Sequence, residues 1–309
     1  MDKKVTYHEQ TDVENTLRLR DVLKTLPPFC RDFFRAIEPR TTTKTRISYA
    51  YDIRIFFQFL LEQNPAFKDW SMDSFTVDVL DQITALDLEE YEEYLKVYQA
   101  GDKTETNGER GLKRKMSSLR SFYAYYFKRE MIHTNPTVLV DVPKIHQKSI
   151  IRLEADEVAM LLDYIEHGGD DLTGQKKIYY EKTKDRDLAL VTLLLGTGVR
   201  VSECVGLDIE DVDFKNNGIK VTRKGGNEMV VYFGPEVEKA LKKYLVVREN
   251  IVPVEGHEHA LFYSTQRKRI GVQAVENLVK KYSRQVTTTK KITPHKLRST
   301  YGTALYQET

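Results

Sequence analysis

Cysteine is scarce in this chain: 309 residues contain two, Cys30 and Cys204. Two thiols supply neither a disulfide framework nor a cysteine-ligated zinc site, so a reducing, cytoplasmic setting fits best. No apolar run reaches the roughly 20 residues that a spanning helix needs, and Met1–Glu14 lacks a signal-peptide pattern. Membrane and secreted classes are therefore excluded. No glycine-rich loop ending in Lys-Ser or Lys-Thr is present to cradle a nucleotide, and no cofactor is expected. Internal repeats and low-complexity tracts are also missing. No metal site is expected. His257 and His259 form His-x-His in a polar loop without a third ligand nearby, and the carboxylates lie mainly in one acidic block.

A large excess of one charge is missing too, since the formal net charge is only +2. The distribution is far from even. Residues 62–105 hold twelve acidic and three basic side chains, residues 107–129 seven basic and one acidic, and residues 265–298 ten basic and one acidic. Charge separated this sharply predicts basic surfaces that face a polyanion, with the acidic block turned away. Apolar residues make up 40% and charged residues 30%, enough for a core in each of two domains.

The first 27 residues read as a polar helical lead-in that ends at Pro27-Pro28. Helical spacing continues from Phe29 to about Pro136. Ile47, Tyr51, Ile55 and Leu61 form an apolar stripe with Phe56, Phe57, Phe59 and Leu60, capped by Thr42 or Thr43. Leu86–Tyr98 reads as an acidic helix, Gly101–Gly111 as a loop, and Leu112–Phe127 as a helix with a basic start. The aromatics Phe122, Tyr123, Tyr126 and Phe127 are read as core. Asn135–Lys148 has two prolines and no period, which predicts a linker.

Beyond it, Glu157–Ile165 is an amphipathic helix, Gly168–Lys184 a polar insertion, and Arg186–Leu195 a buried helix that stops at Gly196-Thr197-Gly198. Short β signals follow at Val212–Phe214, Ile219–Thr222 and Met229–Phe233. Turns at Asn217-Gly218 and Lys224–Asn227 separate them. Pro235–Asn250, Val272–Val286 and Pro294–Glu308 are predicted helices, and Ala260–Tyr263 is read as a short strand.

Three pieces of the second half stand out in conjunction. Gly196–Glu203 ends a buried helix and delivers Arg200. Arg223–Glu228 places Lys224 at the tip of a predicted hairpin. Pro294–Arg298 opens a helix with His295 and Arg298 three residues apart, on one face.

This order of motifs resembles the tyrosine recombinase family, the Xer-type chromosome-dimer resolvases and the phage and transposon integrases. The resemblance covers nearly the whole chain and is most specific at Gly196–Glu203 and His295–Arg298. It implies an all-α N-terminal core-binding (SAM-like) domain over residues 28–140, behind the lead-in 1–27. A linker at 141–152 and a mixed α+β catalytic domain at 153–309 follow. It implies a site-specific recombinase that cuts and rejoins DNA through a covalent 3′-phosphotyrosine link, in chromosome-dimer resolution or mobile-element integration and excision, with no cofactor or metal. Its partner is double-stranded DNA, on which the full-length protein forms a tetramer. The implied catalytic set is Arg200 and Arg298 as clamp, Lys224 as acid to the leaving oxygen and His295 on the phosphate or the nucleophile's proton. Glu203 anchors the Arg200 turn. The implied DNA-facing residues are Thr43, Lys44, Arg46, Lys113, Arg114, Lys115, Arg120, Lys144, Lys148, Arg267 and Lys268.

One departure stands out. The family carries a second histidine or tryptophan, then the nucleophilic tyrosine, on helices well beyond His-x-x-Arg. Only 11 residues follow Arg298. Tyr301 and Tyr306 lie in the same predicted helix as Arg298 and read as core. The 309 residues are thus expected to bind DNA without cleaving it. The alternative is a DNA-binding regulator or inactive paralogue without catalysis.

Overall fold

In a computed structural model of the chain, residues 6–141, 144–146, 149–223 and 226–308 are described. The chain divides into two compact units, Met1–Gln147 and Lys148–Thr309.

The first unit is mainly helical. Its α-helices are α1 (Tyr7–Leu23), α2 (Cys30–Ile37), α3 (Thr43–Gln63), α4 (Ala85–Lys96) and α5 (Glu109–Lys128). Side-chain caps set the starts of three of them. Thr6 and Thr84 form capping boxes with Glu9 and Asp87, and the Thr42 hydroxyl accepts from the Thr45 backbone N–H. The core is aromatic. Phe33, Phe56, Phe57, Phe75, Phe122, Tyr123 and Tyr126 are buried, and Phe57 meets the rings of Phe29, Phe56, Phe75 and Phe122 at centroid distances of 5.0–6.3 Å. Three of the four aromatics assigned to the core of α5 are there; the fourth, Phe127, is exposed.

The expected loop at Gly101–Gly111 is instead partly a hairpin. β1 (Val97–Ala100) pairs antiparallel with β2 (Lys103–Thr106), and Gly101, at φ 63°, takes the left-handed turn position. Both strands lie almost wholly in solvent, so they lack the apolar alternation by which a strand announces itself.

The second unit is mixed. α6 (Ala155–His167), α7 (Gly174–Thr197), α8 (Val201–Gly206), α9 (Pro235–Glu249), α10 (Val272–Val286) and α11 (Pro294–Glu308) accompany a three-stranded antiparallel sheet. The sheet runs β3 (Val212–Asp213), β4 (Gly218–Thr222), β5 (Glu228–Tyr232), in that order. Helix α7 packs against α6, α9 and α11. The expected insertion is helical from Gly174 onward, forming the polar first half of α7 before its buried second half, Leu188–Leu194. At Ala260–Tyr263 only isolated bridges form, Asp208 with Ala260 and Tyr263 with Arg269.

Buried charges tie this unit together. Arg248 donates to the carbonyls of Glu258 and Ala260 at 2.8–3.0 Å and to the Tyr263 hydroxyl at 2.9 Å. Arg186 pairs with Asp187, which also accepts from the Tyr282 hydroxyl at 3.0 Å. Burial pushes the Asp187 carboxyl upward, with Arg186 opposing that rise.

Phe57→Ala would leave a cavity inside four rings. It is expected to destabilise the first unit by about 3–5 kcal/mol in urea unfolding, with the second unit's transition unmoved.

Candidate active site

The site begins with the stop of α7. Gly198 takes φ 61°, a left-handed conformation that costs glycine little, and its N–H donates to the Leu194 carbonyl at 3.1 Å. The turn sends the chain out as Val199-Arg200, and Arg200 caps α8. Its backbone N–H donates to Glu203 Oε2 at 2.8 Å and its guanidinium Nη1 to Oε1 at 2.7 Å. The Glu203 side chain is 4% exposed and that of Arg200 53%. A buried carboxylate thus holds one edge of a guanidinium whose remaining donors face solvent.

Helix α11 supplies the other half. Pro294 fits its first turn, and the Thr293 carbonyl accepts from Lys296 and Leu297 at 2.8 and 3.1 Å. Leu297 is fully buried, whereas His295 is exposed and Arg298 half-buried. His295, Arg298 and Tyr301 succeed one another at three-residue intervals along one stripe. A Cβ built on Gly198 would come within 2.3 Å of the Tyr301 ring. That contact lays the α7 stop against α11 one turn beyond Arg298.

Two further contacts fix α11 and the segment that leads into it. The Thr300 hydroxyl accepts from the Leu153 N–H at 3.0 Å, and Lys290 reaches Glu157 of α6 at 2.5 Å. The Lys290 ammonium holds the Glu157 carboxyl below the usual range. Arg269 ties the α8 exit, donating to the carbonyls of Val205 and Leu207 at 3.1 and 2.8 Å and pairing with Asp208. Nothing in the sequence reading marked Arg269. It follows Arg267 and Lys268 in a run that reads as surface charge, yet those two are exposed and the third turns inward.

Lys224 and Lys148 lie outside the described residues. On either side of residues 224–225, Arg223 N–H donates to the Asn227 carbonyl at 2.7 Å, as a hairpin between β4 and β5 requires. Tyr306 corrects the reading of it as core: its exposure is 84%. It stands nine residues after buried Leu297, which is two and a half turns and hence the opposite side of α11. Cys204 is fully buried and its thiol is pushed up to about 12 by burial, which disfavours the thiolate form. His259 pairs with Glu210.

The residues expected to face DNA divide in two. Lys44, Lys113, Arg114, Lys144, Arg267 and Lys268 are exposed. Thr43 and Lys115 are buried, against the expectation. The Thr43 hydroxyl donates to Asp12 at 2.7 Å, and Lys115 lies 3.5 Å from Asp52. Arg46, only 11% exposed in its side chain, bonds Glu38 at 2.7 Å. Arg120 donates to the Thr137 and Val140 carbonyls at 3.2 and 2.5 Å.

The Phage integrase family matches over residues 152–309. Tyrosine recombinase XerC of Caldanaerobacter subterraneus is 34% identical over 91% of this chain and 76% of its own length. Tyrosine recombinase XerS of Streptococcus uberis is 30% identical over 92% of this chain and 85% of its own. The solved Tn1549 transposon integrase, in complex with circular intermediate DNA, superposes with a TM-score of 0.61 at 22% identity, over 90% of this chain and 87% of its own. A lambda integrase dimer bound to a core site gives 0.61 at 16%, over 90% and 88%. These likenesses carry the fold, a helical first unit and a mixed catalytic second unit. The chain belongs to the phage integrase family and within it to the Xer-like tyrosine recombinases.

Gly198→Ala would force a side chain into the left-handed region and against the Tyr301 ring. A stability loss of about 1–3 kcal/mol is expected by chemical denaturation. Glu157→Gln tests the α6 tether. The lowered carboxyl makes the Lys290 pair stabilising above the ordinary glutamate pKa and lost as pH falls through the folded-state value. The variant is expected to melt below the wild type at pH 7 and together with it at pH 3.

Proposed function

We propose that this recombinase binds double-stranded DNA and activates a backbone phosphodiester through Arg200 and Arg298. Lys224 protonates the leaving 5′ oxygen, and His295 holds the phosphate or takes the nucleophile's proton. The observation that supports this reading most is the Gly198–Tyr301 contact, which joins the end of α7 to α11 one turn beyond Arg298, with Arg200 open to solvent. Glu203 acts as the anchor of that arginine. The exposed bases Lys44, Lys113, Arg114, Lys144, Arg267 and Lys268 follow the DNA backbone. Assembly to a tetramer on DNA belongs to the same reading.

Tyr301 lies against Gly198 and Tyr306 points away from the buried face of α11, so neither is assigned as the attacking nucleophile, and residues 1–309 are expected to bind DNA without forming a covalent link to it.

Duplex binding read by fluorescence anisotropy is expected to weaken by about 0.9 log units per log unit of salt for each phosphate neutralised. Lys113→Glu with Lys268→Glu is expected to weaken binding to every sequence and to flatten that slope. Affinity independent of salt contradicts the reading. With nicked DNA, the 309 residues are expected to give no protein–DNA adduct on a denaturing gel. An adduct that disappears in Tyr301→Phe or Tyr306→Phe would make that tyrosine the nucleophile.

A further inference from the structure

A carboxylate lies buried beneath the basic start of α5. Asp52, on α3, is 1% exposed in its side chain. Arg114 Nη1 donates to Oδ2, the Ser118 hydroxyl donates to the same oxygen at 2.8 Å, and the Lys115 ammonium stands 3.5 Å from Oδ1. Even the backbone of Asp52 is engaged, its carbonyl accepting from Tyr91 at 3.4 Å. One anion is thus shared by two consecutive cations of one helix. Burial lowers the Lys115 pKa while Asp52 opposes that change.

The two cations have different fates. The Lys115 side chain is only 7% exposed, turned in toward Asp52. The Arg114 side chain is 49% exposed, with one end of its guanidinium held from below. An arginine free in solution samples many rotamers, and binding a phosphate then costs the entropy of ordering it. A guanidinium already fixed at one edge loses less, and its planar fork leaves the other donors aimed outward. Lysine at the same place could not do both jobs, because its ammonium is a single point of charge.

We infer that Asp52 is a positioning residue for DNA binding: it holds Arg114 pre-ordered so that the outer edge of the guanidinium takes a backbone phosphate, while Lys115 balances the charge beneath. The inference rests on the DNA-binding reading and adds to it a residue that never touches DNA. Lys113, exposed beside them, has no such anchor among the described residues.

The test is a double-mutant cycle on affinity for a labelled duplex of arbitrary sequence, with thermal stability measured in parallel. Arg114→Ala is expected to weaken binding about tenfold and Asp52→Asn to weaken it several-fold. Arg114→Ala should cost little more once Asp52→Asn is present. If Asp52→Asn only lowers the melting temperature, and Arg114→Ala keeps its full effect in that background, the inference is overturned. A second comparison does not depend on altering Asp52. Arg114→Lys is expected to lose nearly as much affinity as Arg114→Ala. Wild-type binding by Arg114→Lys also overturns it. If Arg114→Ala binds normally while the wild type binds DNA, the positioning role fails and the DNA-binding reading stands. If the wild type does not bind duplex DNA, both fall.

Discussion

The catalytic unit depends on a left-handed turn one residue long. Gly198 ends α7, and because it has no Cβ, the ring of Tyr301 can lie directly upon it. That approach sets the spacing between the end of α7, which Arg200 follows, and α11, whose second turn carries Arg298. Everything nearby reinforces the geometry. Glu203 secures Arg200 at both backbone and side chain, Arg269 closes the exit of α8, and Thr300 and Lys290 bind α11 back to Leu153 and Glu157. Stabilising a developing charge requires donors that are already in place, since reorganising them would consume the stabilisation they provide.

A second theme is the division of charge between inside and outside. Thr43, Arg46, Lys115 and Arg120 sit in segments whose composition suggests a DNA-facing surface, yet each is held by protein partners. Their neighbours Lys44, Lys113 and Arg114 remain accessible. Burying an unpaired charge is costly, so each inward cation comes with a carboxylate or a set of carbonyls. Alternation of this kind lets a basic segment present a defined pattern of charges instead of a diffuse cloud.

Much of this was legible in the sequence. The bounds of α10 and α11 follow from apolar period plus a capping glycine or an initial proline, and the β3–β4–β5 hairpins from β-branched runs around Asn-Gly and Gly-Gly turns. Arg200 and His295–Arg298 stand out in the sequence because they lie at element ends, where turn chemistry is explicit. Other features were hidden for physical reasons. β1 and β2 bury almost nothing, so no pattern marks them. The first half of α7 is polar and follows glycines, so it resembles a loop until tertiary packing extends the helix. Tyr306 looked internal by composition and lies outside by phase. Asp52 and Arg269 could not be picked out, because a long-range ion pair has no local signature.

The central claim is that Arg200 and Arg298 act on one phosphate. The most direct test is a double-mutant cycle between them, read as affinity for a duplex at fixed low salt. If they share a phosphate, Arg200→Ala and Arg298→Ala should couple by about 0.5–3 kcal/mol. If their effects add to within about 0.5 kcal/mol, the two guanidinium groups work at separate places and the account of a shared clamp is wrong.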